Sequence, residues 1–219
     1  MIDLPWNTGP EPRPIAERIA GRVAKRIADG EIEPGAILTE VEVAAEHDAS
    51  RTPAREAMLR LERWGLVRLV PKKGAVVTNP SARERRELLA VRSMFEGNAA
   101  TYLATAGDDR ARLLAVLDEN LAAQSAALAD PPAFAELDYA FHLAIVGHDD
   151  NRVVAEISRM LAPRMFRLTR LAGATSDLAR LRDEHVALAA AIREQDPERF
   201  RRLIADHLDA GHSGYAVAE

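Results

Sequence analysis

Two short runs of aliphatic and β-branched residues, at 66–70 and 75–78, interrupt a chain whose periodicity is otherwise almost entirely helical. The segment PKKG at 71–74 separates the runs, so the sequence predicts a β-hairpin with a basic tip. Three helical patterns come before this hairpin, over residues 14–29, 39–46 and 50–64. Three helices followed by a hairpin are typical of a winged helix-turn-helix, in which the third helix enters the DNA groove.

Asn79-Pro80 punctuates the chain after the hairpin and is the predicted domain boundary, giving domains of residues 1–79 and 80–219. Beyond it the pattern is helical and is broken only by short turn segments. Six helices are predicted there, over residues 81–106, 109–129, 132–147, 151–172, 176–195 and 197–213. The predicted fold is therefore mainly α, with an N-terminal winged helix-turn-helix domain and a C-terminal all-helical bundle.

Composition narrows the class of protein further. The chain has 219 residues and no cysteine, which excludes disulfides and thiolate metal sites. No apolar run reaches the roughly 20 residues that span a bilayer, and the N-terminus lacks the basic-then-apolar order of a signal peptide. We therefore expect a cytoplasmic protein without a membrane partner.

The distribution of charge favours a nucleic-acid partner, although the whole chain carries a net charge of -5. Residues 49–74, which include the third helix and the hairpin, hold seven Lys or Arg and two Glu, a local charge of +5. Residues 29–48 hold seven acids and no Lys or Arg. A local basic surface matters more for phosphate binding than the sum over the chain.

The third helix begins in a way that suits contact with DNA. Ser50 is the predicted N-cap, and Thr52 and Pro53 occupy the first turn, where a missing amide hydrogen costs little. The free amides and the positive end of the helix dipole can face a phosphate. Arg51 and Arg55 share one face, and an arginine can bind a guanine or a phosphate through two hydrogen bonds. The alternative is an ordinary solvated helix face.

The segment LTEVEVAAEHDASRTPAREAMLRLERWGLVRLVPKKGAVV, within residues 14–78, resembles the DNA-binding domain of the GntR family of bacterial transcription regulators. The resemblance implies operator contacts from the start of the third helix and from the tip of the hairpin. The residues concerned are Ser50, Arg51, Thr52, Arg55, Lys73 and Gly74. Val41 occupies the position at which some members place a further DNA-contacting arginine.

Polar side chains interrupt the apolar stripes of three predicted C-terminal helices. Asp138 and His142 flank the stripe of the third of these helices, four residues apart and on the same side. His185 lies within the stripe of the fifth helix, and His207 lies within that of the sixth. Three helices therefore turn an imidazole or a carboxylate toward a common core.

Buried groups of this kind must satisfy one another, a bound ion or a ligand, because burial without a partner is costly. One Asp and three His form a nitrogen and oxygen donor set that suits a divalent transition metal, with zinc first and nickel, manganese or iron as alternatives. A single such histidine is more often a hydrogen-bonded core residue. The convergence of four side chains favours the metal.

Arg92 lies on the inward face of the first C-terminal helix, and Glu96 follows one turn later at its edge. A buried arginine needs an anion. Glu96 would satisfy this need, and so would the carboxylate of a bound effector; the sequence leaves both partners open. Arg164, just after Pro163 in the fourth C-terminal helix, is a further candidate for the same pocket, so the predicted effector site comprises Arg92, Glu96 and Arg164.

Residues 81–213 resemble the effector-binding FCD domain of the FadR subfamily of GntR regulators. The resemblance rests on the segments RSMFEGNAA, LDYAFHLAIVGHDDN, DEHVALAAAI and ADHL, and all four metal-ligand positions of the family's pattern are present in them. A bundle of six helices is similar to the VanR-type branch. The resemblance implies a small organic acid as effector, whose carboxylate completes the metal coordination and meets Arg92.

The combined prediction is a dimeric, metal-containing, acid-responsive transcription repressor that binds a palindromic operator and has no enzymatic activity. One rival is a metal-dependent, hydrolase-like enzyme, because Asp and three His with an open position could activate water. Against it, no further base lies on the same stripes, and the N-terminal half would have no purpose. The other rival is a DNA-binding protein whose C-terminal half only dimerises and whose Asp and His cluster is a satisfied polar core.

Overall fold

The structure is a computed structural model that describes residues 13–173 and 176–212, with side chains described as far as Asp209. Within these ranges the chain is mainly α, as the sequence predicts. The helices are α1 (Ile15–Ala28), α2 (Glu40–Glu46), α3 (Arg51–Arg63), α4 (Ala82–Thr105), α5 (Gly107–Ala126), α6 (Pro131–Gly147), α7 (Arg152–Gly173), α8 (Leu178–Arg193) and α9 (Pro197–His212). The strands are β1 (Ile37–Leu38), β2 (Val67–Val70) and β3 (Gly74–Val77). None of the described helices is both long and apolar enough to cross a bilayer.

The three N-terminal helices enclose a core because each presents one apolar face to it. Ile27 of α1, Leu61 of α3 and Leu66 before β2 are fully buried in this core. At the start of α2, the Glu42 amide donates to the Thr39 hydroxyl and the Thr39 amide donates to the Glu42 carboxylate. This capping box satisfies two backbone amides and fixes where α2 begins, directly before α3.

The hairpin predicted from the sequence is present, and a third strand extends it. β2 and β3 pair antiparallel, and β1 pairs with the other edge of β3, so the strand order is β1-β3-β2. β1 was not predicted, because two residues are too few to show a strand periodicity. Gly74 has a φ of +103°, and a Cβ added there would lie 2.3 Å from the carbonyl oxygen of Leu38. The close approach of β1 therefore requires glycine at this position.

The six C-terminal helices predicted from the sequence are confirmed, and their observed ends lie within three residues of the predicted ones. α4, α5, α6, α8 and α9 share one apolar core, in which Phe141 and Phe200 are fully buried. α7 continues through Pro163 without ending there. The apolar stripes thus carry the polar residues of the same helices into the interior.

The contacts of the chain separate it into two compact units. The first extends to Ser81 and also includes Arg159–Arg167 from the middle of α7, while the second holds Ala82–Ser158 and the residues from Leu168 onward. Within the first unit, Arg167 donates a hydrogen bond of 2.8 Å to the carbonyl oxygen of Thr78. The predicted boundary after residue 79 took no account of this segment of α7, and the domain limits stay a prediction.

Candidate metal centre and nucleic-acid interface

Three histidines and one aspartate converge inside the helical bundle. α6 supplies Asp138 and His142 from successive turns, α8 supplies His185, and α9 supplies His207. Their exposed fractions are 7%, 2%, 0% and 5%. Phe141, fully buried beside His142, stacks on the ring of His185 with 4.6 Å between ring centroids. Apolar neighbours on the same helices therefore hold these polar side chains in the interior.

The separations within this group approach those of a coordination sphere. One ring nitrogen from each of His142, His185 and His207 lies within 4.8 Å of the other two. His142 Nε2 is 3.1 Å from His185 Nε2 and 3.6 Å from Asp138 Oδ1. Two imidazole nitrogens on one tetrahedral ion lie about 3.4 Å apart, since each bond is about 2.1 Å long. The widest spacing in the cluster would therefore contract on binding an ion.

Each histidine of the cluster has its Nδ1 atom next to an acceptor on a neighbouring helix. The pairs are His142 with Glu96 Oε2 at 2.7 Å, His185 with Gln124 Oε1 at 2.8 Å, and His207 with Glu184 Oε2 at 2.8 Å. Where such an oxygen accepts from Nδ1, the Nε2 atom of that neutral ring carries the lone pair. An acceptor on the nitrogen that faces away from the metal is the usual arrangement around metal-bound histidines.

The electrostatics of the cluster favour an added cation. Burial raises the pKa of Asp138 and raises that of Glu96 to about 7, in both cases against the opposing effect of Arg92. Burial, together with His207 and His142, holds the pKa of His185 well below its ordinary value. His185 is therefore neutral, which is the form that binds a metal. A bound cation would in turn favour the ionised carboxylates.

Two buried polar atoms at the cluster lack a hydrogen bond to any described residue: Asp138 Oδ1 and Arg92 Nη2. They lie 3.6 Å apart, which is too far for a hydrogen bond. An acceptor left in this state costs free energy, and a cation beside it would recover that cost. Three imidazole nitrogens and this carboxylate oxygen form a donor set suited to zinc, nickel, manganese or iron. The residues present therefore fit a divalent transition metal.

Arg92 and Glu96 form a buried ion pair. Of the two candidate anions for Arg92, Glu96 and the carboxylate of an effector, Glu96 is therefore in contact with it. Arg92 Nε donates to Glu96 Oε1 at 2.9 Å, and Nη1 lies 3.5 Å from the hydroxyl of Thr169. The other oxygen of Glu96 accepts from His142. Both oxygens of Glu96 are thus used within the protein, which leaves Arg92 as the side chain able to offer a donor to an effector.

Arg164 groups with the first compact unit, and its part in the predicted effector site stays a prediction. Its side chain lies over Gly65, where an added Cβ would be 2.7 Å from Arg164 Cδ. The surrounding segment, Arg159–Arg167, groups with the first unit. Helical periodicity identified a face of α7 but contained no information about the neighbour that this face contacts.

Sequence reasoning missed three residues around the cluster: Gln124, Glu184 and Thr169. Gln124 is fully buried and continues the inward stripe of Leu117 and Leu121 on α5, so the test used for the histidines would have found it. Glu184 is half-buried beside His185 and lies off the apolar stripe of α8. Its position in the sequence therefore does not indicate that it faces the cluster.

In the first unit, a cleft of about 540 Å³ lies between the start of α3 and the turn of the hairpin, and its lining includes Arg51, Arg55, Lys73 and Gly74. The side chains of Arg51 and Arg55 are 71% and 73% exposed. The carboxylate of Glu40 lies 3.3 Å from Arg51 Nη2 and 3.8 Å from Arg55 Nε. Four residues predicted to contact DNA therefore border one cleft, and one acid holds both arginines.

The remaining predicted DNA contacts lie at the start of α3. Ser50 occupies the N-cap position with an extended backbone, but its side chain makes no capping hydrogen bond in the described structure. Its hydroxyl and the first amides of α3 therefore remain suited to an external phosphate. Thr52 is exposed on the first turn, and Val41 is 59% exposed in the cleft lining. Contact of these residues with DNA stays a prediction.

A winged helix-turn-helix together with a helical bundle that buries a histidine cluster defines a two-part transcription regulator rather than an enzyme. Two family models match the corresponding parts of the chain. Residues 15–77 match the model for bacterial regulatory proteins of the gntR family, and residues 87–210 match the FCD domain. The chain belongs to the GntR family of bacterial transcription regulators and carries an FCD domain.

Individual relatives agree with this assignment. The gluconate operon transcriptional repressor of Bacillus licheniformis is 30% identical, over 88% of this chain and 81% of the relative. The probable D-xylose utilization operon transcriptional repressor of Paenarthrobacter nicotinovorans is 24% identical, over 90% and 86%. The solved structure of E. coli McbR/YncC has a TM-score of 0.70 at 24% identity and covers 92% of this chain and 97% of its own. The solved structure supports the fold, and the relatives are named as regulators and not as enzymes.

Proposed function

We propose that this regulator is a repressor that senses a small organic acid at a metal ion held in its FCD domain. The observation that supports the proposal is the arrangement of the cluster. One ring nitrogen from each of the three histidines converges within 4.8 Å beside Asp138, whose Oδ1 atom has no hydrogen bond to a described residue. A satisfied polar core could let His142 and His185 share one hydrogen across the 3.1 Å between their Nε2 atoms, but it would also supply Asp138 Oδ1 with a donor.

In this proposal Asp138, His142, His185 and His207 hold the ion, with zinc as the first candidate and nickel, manganese or iron as alternatives. The ion supplies a positive centre that a carboxylate can coordinate. Arg92 holds the same carboxylate by its Nη2 atom, which has no hydrogen bond to a described residue. The Bacillus licheniformis relative is named for gluconate, itself a small carboxylate, which supports an acid as the effector class.

The DNA-binding part of the proposal assigns the operator contacts to the start of α3 and to the hairpin. Arg51 and Arg55 contact bases or phosphates, while Ser50 and Thr52 bind the backbone beside them. Lys73 and Gly74 contact the neighbouring groove at the wing. Two copies of the chain bind a palindromic operator as a homodimer, because a two-fold axis relates both the protein and the DNA half-sites.

The effector acts by binding one state of the dimer more tightly than the other. It shifts the equilibrium only by this difference in affinity, so an acid that binds both states equally would not regulate. In a repressor, the acid favours the state with the lower affinity for the operator. The expected coupling is an operator affinity that falls about 5- to 150-fold when the acid is present.

The test uses the full-length chain stripped of metal and then supplied with Zn²⁺, Ni²⁺ or Mn²⁺. We expect close to one equivalent of bound metal per chain and an increase in melting temperature of about 5–10 °C at metal concentrations 100-fold above Kd. A panel of small carboxylates should then raise the melting temperature of the metal-loaded protein only. Less than about half an equivalent of metal with no thermal shift would support the simpler alternative, a C-terminal half that only dimerises.

A further inference from the structure

The helix α5 supplies none of the four proposed metal ligands, yet it contacts one of them through a buried amide. Gln124 of α5 is fully buried, and its Oε1 atom lies 2.8 Å from His185 Nδ1. The corresponding partners of His142 and His207 are the carboxylates of Glu96 and Glu184. The partner of His185 is therefore a neutral amide. An amide can turn either its carbonyl oxygen, an acceptor, or its amino group, a donor, toward a neighbour. The orientation of the Gln124 amide thus decides whether His185 Nδ1 donates or accepts.

A chain of hydrogen bonds settles which way this amide faces. Asn120 Nδ2 lies 3.0 Å from the carbonyl oxygen of Leu137, and a carbonyl oxygen can only accept, so the amino end of Asn120 must face it. Asn120 Oδ1 then faces Gln124 at 2.7 Å and must receive the amino end of Gln124. This leaves the oxygen of Gln124 facing His185. The chain begins at a backbone atom of α6 whose chemistry is fixed, so each later step follows by exclusion.

We propose that Gln124 is a positioning residue for the metal: it fixes His185 as the Nδ1–H tautomer and turns the Nε2 lone pair of His185 toward His142. This inference rests on the proposed function of the cluster as a metal centre. The same chain of hydrogen bonds joins α5 to α6 next to Asp138 and to α8 at His185. Helix α5 therefore holds the ligands of two other helices in their mutual arrangement.

A neutral amide has a further consequence for the charge of the site. Asp138, Glu96 and Glu184 already place three carboxylates in or next to the cluster, with Arg92 as the buried cation. A fourth carboxylate at position 124 would accept from His185 equally well. It would, however, place an oxygen against Asn120 Oδ1, where Gln124 now donates. The amide satisfies both neighbours at once, which a carboxylate cannot do.

The experiment compares the full-length native chain with Gln124→Leu, Gln124→Glu and Asn120→Ala. Zn²⁺ affinity of the metal-stripped proteins is measured by competition with a chromogenic chelator. We expect Gln124→Leu to weaken Zn²⁺ binding about 10- to 100-fold, as loss of an outer-shell partner does. Gln124→Glu keeps an acceptor for His185 and should restore most of this loss. Asn120→Ala releases Gln124 without removing it and should weaken binding about fivefold, as for one lost hydrogen bond.

A second measurement separates positioning from a merely structural role. Nitrogen-proton correlation NMR of the histidine rings in the metal-free native chain reports the tautomer of each ring, with His185 assigned by comparison with His185→Ala. We expect the Nδ1–H tautomer at His185 in the native chain and a mixture of tautomers in Asn120→Ala. A general loss of packing would lower stability without this change in tautomer.

The possible results are distinct. An Nε2–H tautomer at His185 in the native chain overturns the inference, and so does a Zn²⁺ affinity of Gln124→Leu within twofold of the native value. If Gln124→Leu does not fold, the tautomer in the native chain and the two milder variants still decide. A native chain that binds none of Zn²⁺, Ni²⁺ and Mn²⁺ overturns the metal centre itself, whereas native binding with an unaffected Gln124→Leu overturns only the role of Gln124.

Discussion

Two arginine–glutamate contacts, one in each unit, show how the same residue types serve different ends. Arg51 and Glu40 lie 3.3 Å apart with side chains 71% and 32% exposed, whereas Arg92 and Glu96 lie 2.9 Å apart at 7% and 0%. An exposed ion pair contributes roughly 0–1 kcal/mol and is readily exchanged for another partner. A buried pair cannot be broken without leaving a charge unpaired in the interior. The DNA-binding surface is therefore suited to exchanging partners, and the bundle is suited to keeping them.

This difference implies that changes in one unit should leave the chemistry of the other intact. Residues of the cleft at α3 contact solvent and one another, while those of the cluster are held by a network of buried hydrogen bonds. Variants that remove either set can therefore be tested against two readouts, metal content and DNA affinity.

The largest effect is expected for His185→Ala. His185 is fully buried and supplies one of the three converging nitrogens, so its loss should lower Zn²⁺ affinity at least about 100-fold, the upper end of the effect of outer-shell changes. Metal content measured after purification should fall to a small fraction of the native value. DNA affinity should be retained.

The matched control is His148→Ala, at the end of α6. His148 is partly buried and its Nδ1 atom lies 2.8 Å from the carbonyl oxygen of Ala144, away from the cluster. We expect this variant to keep its metal. Native metal content in His185→Ala would contradict the assignment of the cluster as a metal centre.

The contrast between the two units also explains what could be predicted from the sequence. The helices and the faces that bear Asp138, His142, His185 and His207 follow from apolar stripes, because burial of the stripe is the physical cause of both. Strand β1 could not be found, since its two residues pair only because β3 passes nearby. The packing of Arg164 over Gly65 could not be predicted for the same reason: a stripe defines a face, but tertiary structure decides which neighbour covers it.

Arg51→Ala should weaken operator binding about 10- to 100-fold, because loss of a two-point arginine contact costs about 1–3 kcal/mol. Metal content should be unchanged. The measurement is a titration of a DNA fragment selected by the native protein from a random-sequence pool, at fixed salt concentration. Arg63→Ala is the matched control, since Arg63 is an exposed arginine in the last turn of the same helix. Equal losses in both variants would indicate a general charge effect and would contradict a specific role for Arg51.

Arg92→Ala should reduce the affinity for a carboxylate effector about tenfold or more, because a buried charge-assisted hydrogen bond contributes about 1.5–3 kcal/mol. The metal should remain bound, since Arg92 is not a ligand. The melting temperature of the metal-free protein should also fall, because Glu96 would lose its ion pair in the interior. Effector affinity is therefore read as the shift that an acid produces in the metal-loaded variant.

The control for this change is Arg83→Ala, which removes an arginine from the same helix where its side chain is 83% exposed. It should respond to acids as the native chain does. An undiminished thermal response to acids in Arg92→Ala would mean that other residues bind the carboxylate, and it would contradict the assignment of Arg92 to the effector site.

The smallest effect is expected for Glu40→Gln, which tests whether DNA replaces Glu40 as the partner of the exposed arginines Arg51 and Arg55. Glu40 lies against both Arg51 and Arg55, so DNA must replace its carboxylate before both arginines are free. Because these contacts are exposed, we expect DNA affinity to rise only about two- to fivefold at low salt, and the gain to shrink as salt screens the charge. The control is Glu56→Gln, which removes an exposed acid of α3 and should change affinity less. A loss of affinity in Glu40→Gln would show instead that the carboxylate holds Arg51 and Arg55 in the orientation that DNA requires, and the exposed pair would then resemble the buried one in function.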